Sequence, residues 1–194
     1  MQANASNSAL CTELSQAHER YTSDTSEHYD EVLEEISQRF ASAGTLGKAD
    51  IGSLLIWKRL RADTKWAMNL MSTPDRDVRA ATENVFKFAN DAVLAAPEAA
   101  KYARSALSSL PGFTTGDALA SAVIVAASPT RMAIYDRRAH SGLSLLNITL
   151  SNSRGRYSRY MQEVQNLIGL FRVHGQTWTA REIDQALFTI GNER

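Results

Sequence analysis

A proline-glycine turn followed by an alanine-rich run constrains the fold of this 194-residue chain more than any other stretch. Residues 110–123 read LPGFTTGDALASAV. Gly112 permits a turn with positive φ, or the close approach of another part of the chain, and the small residues after it let two helices pack tightly. Pro97 starts the helix before the turn and Pro129 stops the helix after it. We therefore expect a helical hairpin at residues 99–127.

Apolar residues at helical spacing continue on both sides of this hairpin. In residues 26–44, for example, Leu33, Ile36 and Phe40 recur on one face of a helix, and Ser26 is expected to be its N-cap. No stretch alternates convincingly between apolar and polar residues as a strand would. We expect an all-α protein of about eight to ten helices, with a helix-hairpin-helix motif and no internal repeat.

The length of the chain suits one domain, or one domain with a helical extension. We expect residues 1–25 to hold a partly disordered N-terminal segment, disordered over residues 1–8, and a first helix. Residues 26–194 are expected to form a single helical domain. The single cysteine, Cys11, excludes an internal disulfide framework and a cysteine-ligated metal cluster.

No targeting or membrane-spanning segment is evident in the sequence. We therefore expect a cytoplasmic protein that has no membrane partner. The histidines are scattered and indicate no metal site, and we expect no cofactor. A monomer is expected.

Charge is distributed unevenly along a chain whose formal net charge is zero. Residues 1–100 hold 10 lysines and arginines against 15 acidic residues, and residues 101–194 hold 11 against 6. A basic half favours an anionic partner such as nucleic acid. The alternative is an ordinary solvated surface of mixed charge.

A short apolar segment follows the hairpin and ends in Asp136, within the run LPGFTTGDALASAVIVAASPTRMAIYDRRAHSGL. This order resembles the helix-hairpin-helix DNA glycosylase superfamily, in which an LPG-type hairpin leads to an essential aspartate. The resemblance spans roughly residues 49–143, and IGSLLIWKRLRADTKWAMNLM in its first part looks like the helix pair that lines the base pocket. It implies that double-stranded DNA is the partner and that Asp136 is catalytic. The resemblance and the local residue types predict a base pocket of Trp57, Lys58, Arg59, Tyr135 and His140, and DNA contacts at Gly112, Phe113, Thr114, Thr115, Gly116, Arg137 and Arg138.

The hairpin departs from the family pattern in two ways. The segment between Gly112 and the alanine-rich helix is one or two residues longer than the common form, which shifts the second glycine to Gly116. Family members that also cut the strand carry a lysine at the start of the second hairpin helix, where this chain has residues 115–118, TGDA. The resemblance therefore implies a monofunctional enzyme, which releases a base and leaves an abasic site.

The chemistry of such an enzyme requires one carboxylate. Breaking an N-glycosidic bond develops positive charge on the sugar, and a carboxylate stabilises that charge or activates the attacking water. We expect Asp136 to lie in a cleft beside residues 110–117, with Arg137 and Arg138 keeping it ionised. The alternative is that Asp136 is an N-cap, placed away from that turn, or the partner of a structural arginine.

The identity of the base is constrained only by charge. Lys58, Arg59 and Arg61 make the expected pocket cationic and polar, which favours a bulky, hydroxyl-rich or anionic modified base such as those of phage DNA. The alternative is that these three residues form a solvated helix face and line no pocket. The alternative function is a non-catalytic module of the same fold that binds DNA or a protein. A helical scaffold with no role on DNA is the third reading.

Overall fold

The computed structural model of the protein describes residues 2–192, which form ten α-helices and no strand. The helices are α1 (Gln2–Asp24), α2 (Glu31–Ala43), α3 (Lys48–Trp57), α4 (Lys65–Ser72), α5 (Asp75–Ala89), α6 (Ala96–Ala106), α7 (Ala118–Ala127), α8 (Arg137–Leu145), α9 (Arg156–Val173) and α10 (Ala180–Asn192). The expected all-α fold is confirmed over this range. Among these helices, none has the length and apolar character needed to cross a bilayer.

The N-terminal helix is longer than expected and belongs to the common core. Residues 2–8, for which disorder was expected, are the first turns of α1; Met1 lies outside the described residues, as do Glu193 and Arg194. Helix α1 packs against α9 and α10, and its Leu14 and Ala17 are fully buried.

Helix α7, the second helix of the expected hairpin, is surrounded by other helices. Residues 119–127 are all buried, because a helix that is apolar on every face must be covered. Helices α2, α3, α5 and α6 all pack against it. The alanine-rich sequence thus becomes a central helix of the fold.

The turn between α6 and α7 requires glycine at two positions. Gly112 and Gly116 have φ angles of +88° and +81°, which side chains other than glycine rarely adopt. A Cβ at Gly112 would also overlap the indole of Trp66. Phe113, expected to contact DNA, is fully buried. It is a core residue that anchors the turn, which corrects that prediction.

Helices α8 and α10 touch through their backbones. A Cβ at Gly142 of α8 would overlap the carbonyl oxygen of Leu187, and a Cβ at Gly191 of α10 would overlap the carbonyl oxygen of Arg138. Glycine at both positions allows this approach. Since Asp136 directly precedes α8, this packing fixes where the carboxylate lies.

Of the two helix ends predicted for α2 from the sequence, only the C-terminal one is correct. The expected N-cap Ser26 lies outside α2, which begins at Glu31 after Asp30. Gly44 ends that helix with φ +68°, as its sequence position indicates.

Candidate active site

A cleft of about 250 Å³ opens beside the start of α8. Its walls are the end of α1 and the loop that follows, the end of α3, the segment before α8, and one face of α10. The residues that line it are Tyr21, Asp24, Thr25, Ser26, Tyr29, Trp57, Lys58, Arg59, Ile134, Asp136, Ala139, Arg181, Asp184, Gln185 and Phe188.

The two carboxylate oxygens of Asp136 have different partners. Oδ1 accepts hydrogen bonds from the backbone N–H groups of Arg138 (2.9 Å) and Ala139 (3.0 Å), so Asp136 is the N-cap of α8. Oδ2 lies 2.9 Å from Nζ of Lys58. Asp136 is therefore the N-cap that the alternative interpretation expected, and it also lines the cleft.

Lys58, and neither of the adjacent arginines, is the cation that pairs with Asp136. The side chains of Lys58 and Asp136 are only 12% and 17% exposed, whereas Arg137 and Arg138 are exposed. Burial alone raises the pKa of Asp136, but the Lys58 charge and the two backbone N–H groups outweigh it and hold that pKa below its usual value. The expectation that Arg137 and Arg138 keep the carboxylate ionised is corrected accordingly.

Contacts of the residues next to Lys58 fix the backbone at the end of α3. Lys58 is the C-cap of α3, and Arg59 turns the chain away with a φ of +52°. The preceding Trp57 is buried, and its indole N–H contacts the carbonyl oxygen of Tyr29 (3.1 Å) and Oδ1 of Asp30 (3.3 Å). This anchor fixes the backbone that carries the ammonium group.

A second carboxylate, Asp184 of α10, positions the segment that carries Asp136. Its Oδ2 accepts a hydrogen bond of 2.7 Å from the N–H of Ile134, and its Oδ1 accepts one of 2.6 Å from Arg181. Arg181 also donates to both carboxylate oxygens of Asp30, at 3.0 and 3.2 Å. Burial raises the pKa of Asp184 to about 7, against the opposing effects of Arg181 and the Ile134 N–H.

Aromatic rings and cations form much of the remaining wall. The guanidinium of Arg59 lies 5.7 Å from the ring centre of Tyr29, and that of Arg181 lies 5.6 Å from the ring of Trp57. Trp57, Lys58, Arg59 and Asp136 were expected in one site, and the structure brings them together. Tyr29, Arg181 and Asp184 also line the cleft, and no local motif in the sequence marks them.

Tyr135 and His140, two further residues of the expected pocket, do not line the cleft. Tyr135 is buried, its hydroxyl lies 2.8 Å from Nδ1 of His140, and the guanidinium of Arg156 lies 4.7 Å from its ring centre. Burial, and next the charge of Arg156, lower the pKa of His140. His140 borders a separate shallow groove with Arg137 and Arg138. The structure therefore separates these two side chains from Asp136.

The glycine turn is a neighbour of the cleft but not part of its wall. Residues 114–116 are exposed, and no residue from 110–117 lines the cleft. Asp117 ends the turn and binds Arg104 (2.8 Å) and Arg156 (2.9 Å). Since Arg156 also lies over the ring of Tyr135, the turn is linked through Arg156 to the residue that precedes Asp136. The expected arrangement of a cleft directly beside the turn is corrected to this indirect contact.

Arg61, the third cation expected at the pocket, points elsewhere. It pairs with Asp63 at 2.7 Å on the exposed surface. Among the described residues, no group of three or more histidine, cysteine or acidic side chains could hold a metal ion.

Comparisons with protein-family models, with curated proteins and with solved structures each gave no match. These comparisons therefore assign the chain to no family.

Proposed function

We propose that this protein is a monofunctional DNA glycosylase that hydrolyses the N-glycosidic bond of a modified base and leaves an abasic site. The observation that carries the proposal is the position of Asp136. Its carboxylate lies in a cleft, is kept ionised, and is fixed through one oxygen by helix α8 while the other oxygen faces Lys58.

The reaction needs a negative charge at a fixed place. As the bond from C1′ to the base breaks, positive charge develops on the sugar, and Asp136 stabilises it or takes a proton from the attacking water. The capping bonds through Oδ1 prevent the carboxylate from rotating freely. A preoriented charge of this kind stabilises the transition state without reorganising during the reaction.

The ion pair at Asp136 supports hydrolysis rather than strand cutting. A lysine that cuts the strand must attack C1′ with the lone pair of a neutral amine. Lys58 instead donates a hydrogen bond to Asp136 at 2.9 Å, and in this resting state its ammonium group has no lone pair with which to displace the base. This arrangement supports base release as the end point of the reaction.

The cleft suits a base that has been flipped out of the duplex. The half-buried ring of Tyr29 offers a surface for contact with a flipped base, and Thr25, Ser26 and Gln185 add hydrogen-bonding groups. Such a wall accommodates a base with a polar substituent.

The charges of the cleft favour a neutral substituent over an anionic one. Three lysine or arginine side chains and three aspartates line it, which leaves little excess of positive charge. A hydroxyl-rich substituent, such as a sugar, can use both carboxylates and cations as hydrogen-bonding partners. The bulky modified bases of phage DNA are therefore the substrates that we propose.

The DNA backbone is proposed to cross the turn and the start of α8. Thr114, Thr115 and Gly116 are exposed in the turn, and Arg137 and Arg138 are exposed at the helix. Hydroxyl groups, backbone N–H groups and arginines are the groups that contact phosphates without reading the sequence. Binding through them would be strongly salt-dependent.

A second candidate function, a protein-interaction module, is favoured by one surface. Ile56, Met68 and Met71 on α3 and α4 are 74%, 66% and 66% exposed, and they border an apolar groove. Exposed apolar side chains grouped in this way mark interaction sites. Under this reading, the protein would bind a partner and release no base.

Base release from defined duplexes tests the proposal. The wild type and Asp136→Asn are incubated with duplexes that carry one modified cytosine, with or without a hexose, one uracil or one alkylated purine. We expect alkali-labile sites with the wild type only, because asparagine keeps the helix cap and lacks the charge. Binding without base release across the panel would support a non-catalytic DNA-binding module of the same fold, and no binding at low salt would refute both DNA functions.

A further inference from the structure

Lys58 and Asp136 are in direct contact inside the cleft, which gives Lys58 a role beyond holding the carboxylate. We propose that Lys58 is the general acid that protonates the departing base, and that Asp136 returns a proton to Lys58. This inference rests on the proposed glycosylase function. It makes the two residues one proton relay.

The geometry satisfies what a general acid requires. A proton donor must come within hydrogen-bond reach of its acceptor in the bound state, and Lys58 lines the same cleft as Asp136. The two side chains are largely enclosed and joined by a hydrogen bond of 2.9 Å. Since Oδ1 of Asp136 is bound to the amides of α8, Oδ2 is the oxygen that accepts from Lys58.

A neutral base needs such a donor. When the bond between C1′ and the base breaks, its electron pair moves to the base, which then carries a negative charge. The Nζ–H of Lys58 supplies a proton to a nitrogen or oxygen of the base, so the base leaves neutral and Lys58 becomes a neutral amine.

Asp136 returns Lys58 to its protonated state. Water attacks C1′ and forms the new C–O bond, and Oδ2 of Asp136 takes the proton that this water loses. That proton then moves along the 2.9 Å hydrogen bond to Nζ of Lys58. Each turnover consumes one water and restores the ammonium and the carboxylate, with no oxidant, reductant or other reactant.

Two variants separate proton donation from charge. Lys58→Arg keeps the positive charge beside Asp136, but a guanidinium stays protonated and does not release its proton. We expect single-turnover release of a neutral base to fall by at least about 100-fold, the lower end of what general acid catalysis contributes. Lys87→Arg is the control, because Lys87 pairs with Glu83 on the surface of α5.

Chemical rescue gives the second readout. In Lys58→Ala, added ethylammonium should restore base release in proportion to its concentration, whereas tetramethylammonium, which has the same charge and no proton to give, should not. Thermal unfolding followed by circular dichroism checks that each variant is folded. A residue that only supplied charge or packing would not distinguish the two cations.

The outcomes distinguish this inference from the function on which it rests. A wild type that releases a base, together with loss in Lys58→Arg and selective rescue by ethylammonium, supports the relay. Release that is retained in Lys58→Arg, or rescue by both cations alike, overturns the relay and leaves the glycosylase function intact. A wild type that releases no base from any duplex overturns both.

Discussion

Gly142 lies where the backbones of α8 and α10 touch, and its replacement by alanine should destabilise the protein. A Cβ at this position would lie 2.9 Å from the carbonyl carbon of Leu187 and 3.1 Å from its Cα, and would overlap the carbonyl oxygen. These are backbone atoms of a helix, so no side chain can rotate away. The two helices must move apart.

The magnitude follows from two opposing effects. Overpacking a close contact typically costs about 1–3 kcal/mol, and a clash with backbone on both helices belongs at the upper end. Alanine in place of glycine inside a helix returns about 1 kcal/mol. We expect Gly142→Ala to lower the free energy of unfolding by about 2 kcal/mol, which is about 4–8 °C in Tm for a chain of this size.

Calorimetry or thermal circular dichroism measures the difference, and Gly169→Ala is the matched control. Gly169 lies inside α9, and a Cβ there would meet nothing within 4 Å. That variant should be stabilised by up to about 1 kcal/mol. If Gly142→Ala were as stable as Gly169→Ala, the close packing of α8 on α10 would be refuted.

Four further predictions concern the charged residues of the site. Asp136→Ala should be less stable than Asp136→Asn by about 1 kcal/mol in denaturant titrations, because alanine also removes the cap of α8. At pH 8, Asp184→Ala should lower the free energy of unfolding by about 3–5 kcal/mol, since Arg181 and the Ile134 N–H lose an acceptor. The raised pKa of Asp184, about 7, means that the folded protein binds a proton which the unfolded chain releases above pH 4. The part of the stability that comes from binding this proton is therefore fully present below about pH 4 and lost as the pH rises through 7, and Asp184→Asn should flatten that part of the stability curve. Arg137→Ala should reduce the salt dependence of DNA binding by about one phosphate contact in fluorescence titrations.

Features that depend on neighbours along the chain could be predicted from the sequence. Thr179 and Glu182 have the spacing typical of a capping box and form one, with the Thr179 N–H donating to Glu182 at 2.6 Å and the Glu182 N–H donating to Thr179 at 3.2 Å. Apolar spacing likewise placed Leu33, Ile36 and Phe40 on the buried face of α2. In each case the interacting residues lie within a few turns of one helix.

The directions of successive side chains in the segment before α8 explain why only part of the predicted base pocket lines the cleft. Residues 132–136 lie outside the helices, and the backbone of Asp136 is extended, with φ −147° and ψ −178°. Successive side chains of extended backbone point to opposite sides. Ile134 and Asp136 therefore face the cleft, whereas Tyr135 faces the core and binds His140. Tyr135 was predicted to share the pocket because it is next to Asp136 in the sequence. Its side chain points away from the cleft instead.

Contacts between distant parts of the chain could not be predicted. Lys58 and Asp136 are 78 residues apart, and the arginines beside Asp136 were the nearer cations in sequence. Arg181 and Asp184 are three residues apart on α10, a spacing that surface ion pairs share. Their burial depends on how α10 meets the segment before α8.

Mass spectrometry of the free base released in a single turnover tests the central claim most directly. A duplex carrying one hexose-modified cytosine is mixed with excess wild type, Asp136→Asn or Lys87→Arg, and the free base is quantified against the abasic sites. The proposed function predicts equal amounts of base and abasic site for the wild type and Lys87→Arg, and none for Asp136→Asn. Equal release by Asp136→Asn and the wild type would contradict it.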